Sequence, residues 1–237
     1  MPLNPQEHNV GNLGDILKHA ALLQLIRFFD RFTGRKFYLD THCYLLQARL
    51  ANPDWSAEVQ ALLQNYPLYD DYRRLQKPYA ERGEYLCSSG IVSRQSGDTE
   101  LLLSESNPDT RCTLRQQLRD RGIRATVKHD MALWHRELSI RNDENIFILL
   151  DPFHLTEGLW YEVCALQEQS MSAGAQGLLL VFHYDKEEDA FAWPGAAAAW
   201  GGPAASLSRP PYHLAVYSTP AYRQAVADLL TPLGWRT

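Results

Sequence analysis

Four acids in this chain each follow a stretch with a strand pattern: Asp40 after Phe37-Tyr38-Leu39, Glu105 after Leu101-Leu102-Leu103-Ser104, Asp130 after Arg124-Ala125-Thr126-Val127-Lys128-His129, and Asp151 after Ile146-Phe147-Ile148-Leu149-Leu150. A carboxylate accepts hydrogen bonds from ribose hydroxyls, from an adenine amino group or from an amine nucleophile, and it also binds cations. The acids are dispersed and lack a compact His/Cys set beside them, which favours a nucleoside-containing ligand over a metal. Asp151 is followed by Pro152, Phe153 and His154. Proline cannot donate to a sheet ladder and biases the residue before it toward an extended conformation, so Asp151 is held at the mouth of its strand. The same Asp-Pro pair can equally be no more than a strand stop. Near the amino terminus, Lys18 and His19 follow the glycine-bearing turn Gly11–Gly14. Either they are ordinary helix residues, Lys18 solvated and His19 packed, or they contact a polar ligand.

The elements that must position these groups alternate along the chain. The first helix, capped by Asn12 or Asp15, carries Leu17, Leu22, Leu25, Ile26 and Phe29 on one face. A strand over Lys36–Asp40 follows, then strands ending at Glu105, near Asp130 and at Asp151, with a long run over Gly177–Tyr184. Helical patterns separate them: an Asn107-Pro108 entrance leading to Leu114 and Leu118, Met131 to Leu138, and Trp160 to Leu166. Strand-helix repetition calls for an α/β fold with a mainly parallel, helix-covered sheet, and the four acids then share one rim. Ligands bind at that rim in open sheets of this kind.

Residues 44–84 form an insertion in this single domain, expected to be mostly helical and punctuated by Pro53, Pro67 and Pro78. Its Tyr66, Tyr69, Tyr72 and Tyr79 either face a substrate or seat the insertion on the core. Arg73, Arg74, Lys77 and Arg82 make its latter part basic and are the candidate phosphate contacts, against the ordinary reading of a solvated charged face. The stretch Trp193–Pro203 reads as a loop with an apolar patch, before a strand at Tyr212–Ser218 and a last helix from Ala221 to Leu230.

The 237 residues are 45% hydrophobic, enough for one domain with a substantial core. The net charge of -5 supplies no general attraction to nucleic acid, although a local basic face remains compatible with it. Cytoplasmic residence, no membrane association, and a monomer or weak homo-oligomer are the default expectations, because no apolar signal or spanning segment is seen. Cys43, Cys87, Cys112 and Cys164 are widely spaced and read as isolated thiols. Neither a GxGxxG turn nor a Walker sequence occurs.

Taken in order, these motifs resemble those of the bacterial ribosomal-RNA adenine-N6 methyltransferases of the RlmJ type, a class I Rossmann-like family that uses S-adenosyl-L-methionine. Gly11-Asn12-Leu13-Gly14-Asp15-Ile16-Leu17-Lys18-His19 parallels the family's GNxADxLKH, and Tyr38-Leu39-Asp40-Thr41-His42 its YLDTH. The resemblance implies cofactor contacts from Lys18, His19, Asp40, His42, Ser88 and Asp151, a ribose-binding role for Glu105, an adenine-side role for Asp130, and a catalytic role as well for Asp151 at the head of a DPPY-like motif. Two departures stand out. Cys43-Tyr44-Leu45-Leu46 replaces the family's glycine-rich AGAG and crowds the methionine end of the cofactor site; Phe153 and His154 replace the second proline and the tyrosine, leaving His154, or Phe153 after a loop shift, to stack on a target base.

The expected function is methyl transfer to adenine N6 of structured RNA or to a small amino-group acceptor. A noncatalytic nucleoside- or protein-binding relative and an enzyme acting on a small molecule are the competing classes. A positive channel beside Asp151 favours RNA, a closed pocket favours a small acceptor, and side chains filling the methionine site favour the noncatalytic class.

Overall fold

A computed structural model describes residues 10–50, 69–130, 144–152, 157–172, 177–184, 198–201 and 212–233. The expected helices over Ala57–Leu63 and Met131–Leu138, and the residues Tyr66, Phe153, His154 and Gly234, lie outside the described residues.

Helix α1 (Leu13–Phe29) begins where Asn12 accepts the Asp15 N–H, and the turn before it uses Gly11 at φ +80°. Strand β1 (Lys36–Asp40) follows. The insertion then opens and closes with two short strands, β2 (Gln47–Arg49) and β3 (Glu84–Leu86), which pair antiparallel around helix α2 (Tyr69–Ala80). This ribbon adds strand to a segment expected to be mostly helical. The reason is local: Gln76, buried within α2, donates to the Leu86 carbonyl and accepts the Leu86 N–H, giving β3 an edge partner. Pro78, expected to punctuate, sits inside α2 close to its end.

Helix α3 (Ser88–Gln95), strand β4 (Thr99–Ser104), helix α4 (Pro108–Asp120), strand β5 (Ala125–Lys128), strand β6 (Asn145–Leu150), helix α5 (Glu157–Ser172) and strand β7 (Gly177–Tyr184) complete the alternating part. The proline-led entrance to α4 forms as expected, with Asn107 accepting the Asp109 and Thr110 N–H groups. Strand β8 (Ala198–Gly201), strand β9 (Tyr212–Ser218) and helix α6 (Arg223–Leu230) end the described chain. Strand β8 lies within the stretch expected to be a loop. Its alanines carry no strand signal of their own, and the ladder to β9, Trp200 opposite Leu214, makes it a strand.

The seven-stranded sheet has the order β5-β4-β1-β6-β7-β9-β8. Strands β5, β4, β1, β6 and β7 run parallel, and β9 runs antiparallel between β7 and β8. This is the expected α/β arrangement, a mainly parallel sheet whose strand order reverses between β1 and β6. Strands at its centre are buried on both faces, so they read as unbroken apolar runs. In β6, Phe147 and Leu149 join the core formed with α1, while Ile146, Ile148 and Leu150 pack toward Leu159 and Trp160 of α5. Because β1, β4, β5 and β6 are parallel, Asp40, Glu105, Asp130 and Asp151 all lie at one rim. No helix among the described residues is long and apolar enough to cross a membrane.

Helix α3 is seated by a glycine. A Cβ on Gly90 would lie 2.1 Å from the Leu46 carbonyl oxygen and 2.6 Å from Leu86 Cδ1. Gly90→Ala is therefore expected to destabilise the fold by about 1–3 kcal/mol through forced separation of α3 from the loop after β1. Gly97→Ala, where an added Cβ meets nothing within 4 Å, serves as its control. Urea unfolding midpoints measure both, and equal midpoints would contradict this account of the seat.

Candidate functional site

The mouth of β6 is tied to the first turn of α1 by a buried ammonium. Lys18 Nζ donates to Asp151 Oδ2 at 2.5 Å and to Asp15 Oδ1 at 2.8 Å, while Asp15 Oδ2 accepts the Gly11 N–H at 2.9 Å. Lys18 is 5% exposed, so it is not the solvated helix residue of the ordinary reading. Burial alone would push its ammonium toward the neutral form, but Asp15 and Asp151 more than reverse this and hold it protonated. Burial likewise pushes the Asp15 carboxyl up, and Lys18 brings the net shift below the usual value. Asp151 remains partly accessible, and its Oδ1 has no hydrogen-bond partner among the described residues.

His19 lies beside this pair and is buried. Its Nδ1 is 2.6 Å from the Tyr85 hydroxyl, which is 2.7 Å from the Tyr72 hydroxyl. Burial first, and the Lys18 charge second, push the imidazole down to about 3. It is neutral around pH 7. Tyr69, Tyr72 and Tyr79 are also buried in the core cluster, so these three seat the insertion and do not form an exposed aromatic wall.

Asp40 forms a second centre. It is fully buried, and its Oδ2 accepts from the hydroxyls of Ser88 at 2.6 Å, Ser89 at 3.1 Å and Tyr38 at 3.2 Å. Burial raises the Asp40 carboxyl above its ordinary range, and the Ser88 hydrogen bond works against that shift. Asp40 thus anchors the first turn of α3 to the end of β1. The loop between is bound inward: Cys43 N–H donates to the Ser104 carbonyl at 2.8 Å, Cys87 N–H to the Leu46 carbonyl at 3.0 Å, and the Cys43 and Ser89 side chains lie 3.2 Å apart. His42 stands exposed at the same loop, its ring 2.7 Å from the Thr41 hydroxyl.

Glu105 follows β4, the strand beside β1. It is 4% exposed, accepts the Asn107 N–H at 2.7 Å, and is raised by burial. Asp130, after β5, is exposed. Each of the four insertion cations has an acid alongside: Arg73 with Asp70, Arg74 with Asp71, Lys77 with Glu81 at 4.0 Å, and Arg82 with Glu84 at 2.9 Å. Asp15, Tyr85, Ser89 and Gly90 also belong to the site and were not singled out as site residues in the sequence. Their only signals are an acid one turn before Lys18 and the run of small residues Ser88-Ser89-Gly90.

These residues fit an adenosine-bearing cofactor at one end. Glu105 and Asp130 offer carboxylates at successive strand ends, as ribose and adenine contacts require. At the other end, the close backbone approach permitted by Gly90 is taken by Leu46.

No family model matches the sequence. No curated protein matches it significantly. Among solved structures, the chain is similar to protein LPL1258 from Legionella pneumophila, of the family model DUF519, with 18% identity and a TM-score of 0.67 over 93% of this chain and 91% of that one. An rRNA methylase from Streptococcus thermophilus overlaps more loosely, with 12% identity and a TM-score of 0.39 over 86% and 96% of the two chains. The first of these likenesses is one of fold.

Neutral His19 gives the site a pH signature. An unfolded imidazole protonates near 6.5 and the folded one only at about 3, so between these values the unfolded chain binds more protons. Stability is expected to fall as pH drops below about 6.5, by up to about 1.4 kcal/mol per unit from this residue. His19→Gln removes that contribution. Urea unfolding from pH 7 to pH 5 should show the difference between the two proteins narrowing with acidity, and parallel losses would contradict the assignment.

Proposed function

We propose that this chain is an S-adenosyl-L-methionine-dependent methyltransferase acting on an amino group, with adenine N6 of structured ribosomal RNA as the favoured acceptor. The observation that carries the reading is the Asp151 carboxylate at the end of β6, ordered on one oxygen by buried Lys18 and partnerless on the other among the described residues. A carboxylate fixed in this way receives an amine N–H without first having to reorganise. Pro152 adds a backbone carbonyl beside it as a second acceptor.

In this proposal Asp151 and the Pro152 carbonyl hold the amine so that its nitrogen lone pair faces the donor. The cofactor, when bound, would supply a methyl group already activated on its sulfonium, whose S–C bond breaks as the N–C bond forms and leaves a neutral thioether. Asp151 then takes the proton that nitrogen must lose, and Lys18 stabilises the carboxylate until it does. Positioning and electrostatics account for most of the rate. Glu105 and Asp130 hold the adenosine; Lys18, His19, His42, Asp40 and Ser88 form the remainder of the cofactor site, the last two by fixing α3. Phe153 and His154 are proposed to supply the stacking surface for the target base. Arg73, Arg74, Lys77 and Arg82 are proposed to meet phosphates, which requires their present carboxylate partners to yield them.

A second reading has its own observation. The inward-bound loop Cys43–Leu46 closes the place of a glycine-rich turn, as in a relative that binds a nucleoside without transferring a group. A labelled-methyl transfer screen against cellular RNA and a metabolite pool separates the readings and distinguishes RNA from a small acceptor. Asp151→Asn is expected to slow transfer by about 2–4 kcal/mol, tens- to several-hundredfold, with cofactor affinity nearly unchanged. Glu105→Gln should instead weaken cofactor binding by calorimetry. Equal transfer by wild type and Asp151→Asn would refute the role of Asp151, and cofactor binding with no transfer to either pool would favour the second reading.

A further inference from the structure

Away from the rim, β2, the end of α2, β3, the end of α3 and the turn after α4 enclose an open groove of about 620 Å³. Among the described residues it is lined by Arg82, Arg94 and Arg121, by one carboxylate, Glu84, and by Tyr79. In a chain of net charge -5, these four charged groups amount to an excess of two positive charges among the described residues. Arg94 and Arg121 have no carboxylate partner among the described residues. The groove therefore differs from the outer face of α2, where Arg73, Arg74 and Lys77 each lie beside an acid on the same helix.

Two features prepare it for a ligand. The guanidinium groups of Arg82 and Arg94 stand 5.1 Å and 5.7 Å from the Tyr79 ring centroid, so a buried aromatic ring restrains both before anything binds. The Tyr79 residue is 3% exposed, and its hydroxyl finds no hydrogen-bond partner among the described residues. An arginine near a helix carboxyl end also offsets the partial charge of the last carbonyls. That accounts for one cation at each of α2, α3 and α4, but not for the open volume between them or for the unpartnered hydroxyl beneath.

We propose that this groove binds the sugar-phosphate backbone of RNA, as an anchoring surface separate from the reaction centre. Its lining is polar and open, unlike the mostly apolar, enclosed wall of a small-molecule pocket, and guanidinium forks match phosphate oxygens. The proposal deepens the RNA reading of the function and rests on it for the identity of the polyanion.

The test is binding of a fluorescent RNA hairpin to the full chain across a salt series. Replacing Arg94 and Arg121 together by Gln is expected to reduce the slope of log Kd against log salt by about 1.8, since each duplex phosphate left without its arginine removes about 0.9. The double variant Arg31→Gln, Arg35→Gln removes the same charge elsewhere and should keep the wild-type slope. Both variants are checked for wild-type urea midpoints, and Arg94→Lys with Arg121→Lys, which keeps the charge, provides a second pair if the Gln pair unfolds; it should recover part of the slope. An unchanged slope in the folded Gln variant would overturn the proposal. So would competition by polyglutamate as strong as that by unlabelled RNA, which would make the groove a protein-binding surface. The assay reads RNA binding and not methyl transfer, so salt-dependent binding through the groove stands apart from any failure of the catalytic reading.

Discussion

A buried ammonium is tolerable only beside compensating charge, and that constraint fixes the most consequential contact in this fold. Lys18 belongs to a helix that precedes the sheet in sequence, yet one of its partners closes the strand 133 residues later. Removing either carboxylate would leave burial opposed by less attraction, so α1 cannot shift along the sheet without losing the compensation. The Asn12 cap and the Gly11–Asp15 hydrogen bond hold the same helix turn from its other side. Helix start, strand end and site geometry are consequently one problem with one solution.

Asp40 solves the complementary problem at the neighbouring strand. Its charge is met by serine and tyrosine hydroxyls instead of a cation, and burial biases it toward the protonated form. Two acids of the same rim are thus given different surroundings. Asp151 keeps an outward-facing role, while Asp40 turns inward and fastens the helix that follows the insertion.

The parallel sheet was legible because both-face burial leaves continuous apolar runs such as Ile146–Leu150, and the rim followed from strand direction alone. The Asn107-Pro108 helix start was legible for a similar reason, since cap and proline act on their immediate neighbours. Lys18 was visible as a residue, but its burial was not, because the acid that makes burial tolerable is remote in sequence. The β2–β3 ribbon escaped notice for want of local propensity, its edge being completed by the Gln76 side chain. Arg94 and Arg121 carry no mark that joins them until α3 and α4 end at the same groove.

The insertion is closed at its base. The Leu46 carbonyl accepts the Cys87 N–H, and the short β2–β3 ladder lies immediately inside that contact. For closure entropy alone, what counts is that the two ends of the enclosed chain are already juxtaposed. Each doubling of the enclosed length adds only about 0.6 kcal/mol of closure entropy. Lengthening the enclosed chain outside α2 therefore costs the β1-to-α3 crossover little, provided that Leu46, Cys87, the ladder and the buried Tyr69, Tyr72, Gln76 and Tyr79 are kept. The length of this segment can drift while the strands behind it stay under the constraints of a packed core.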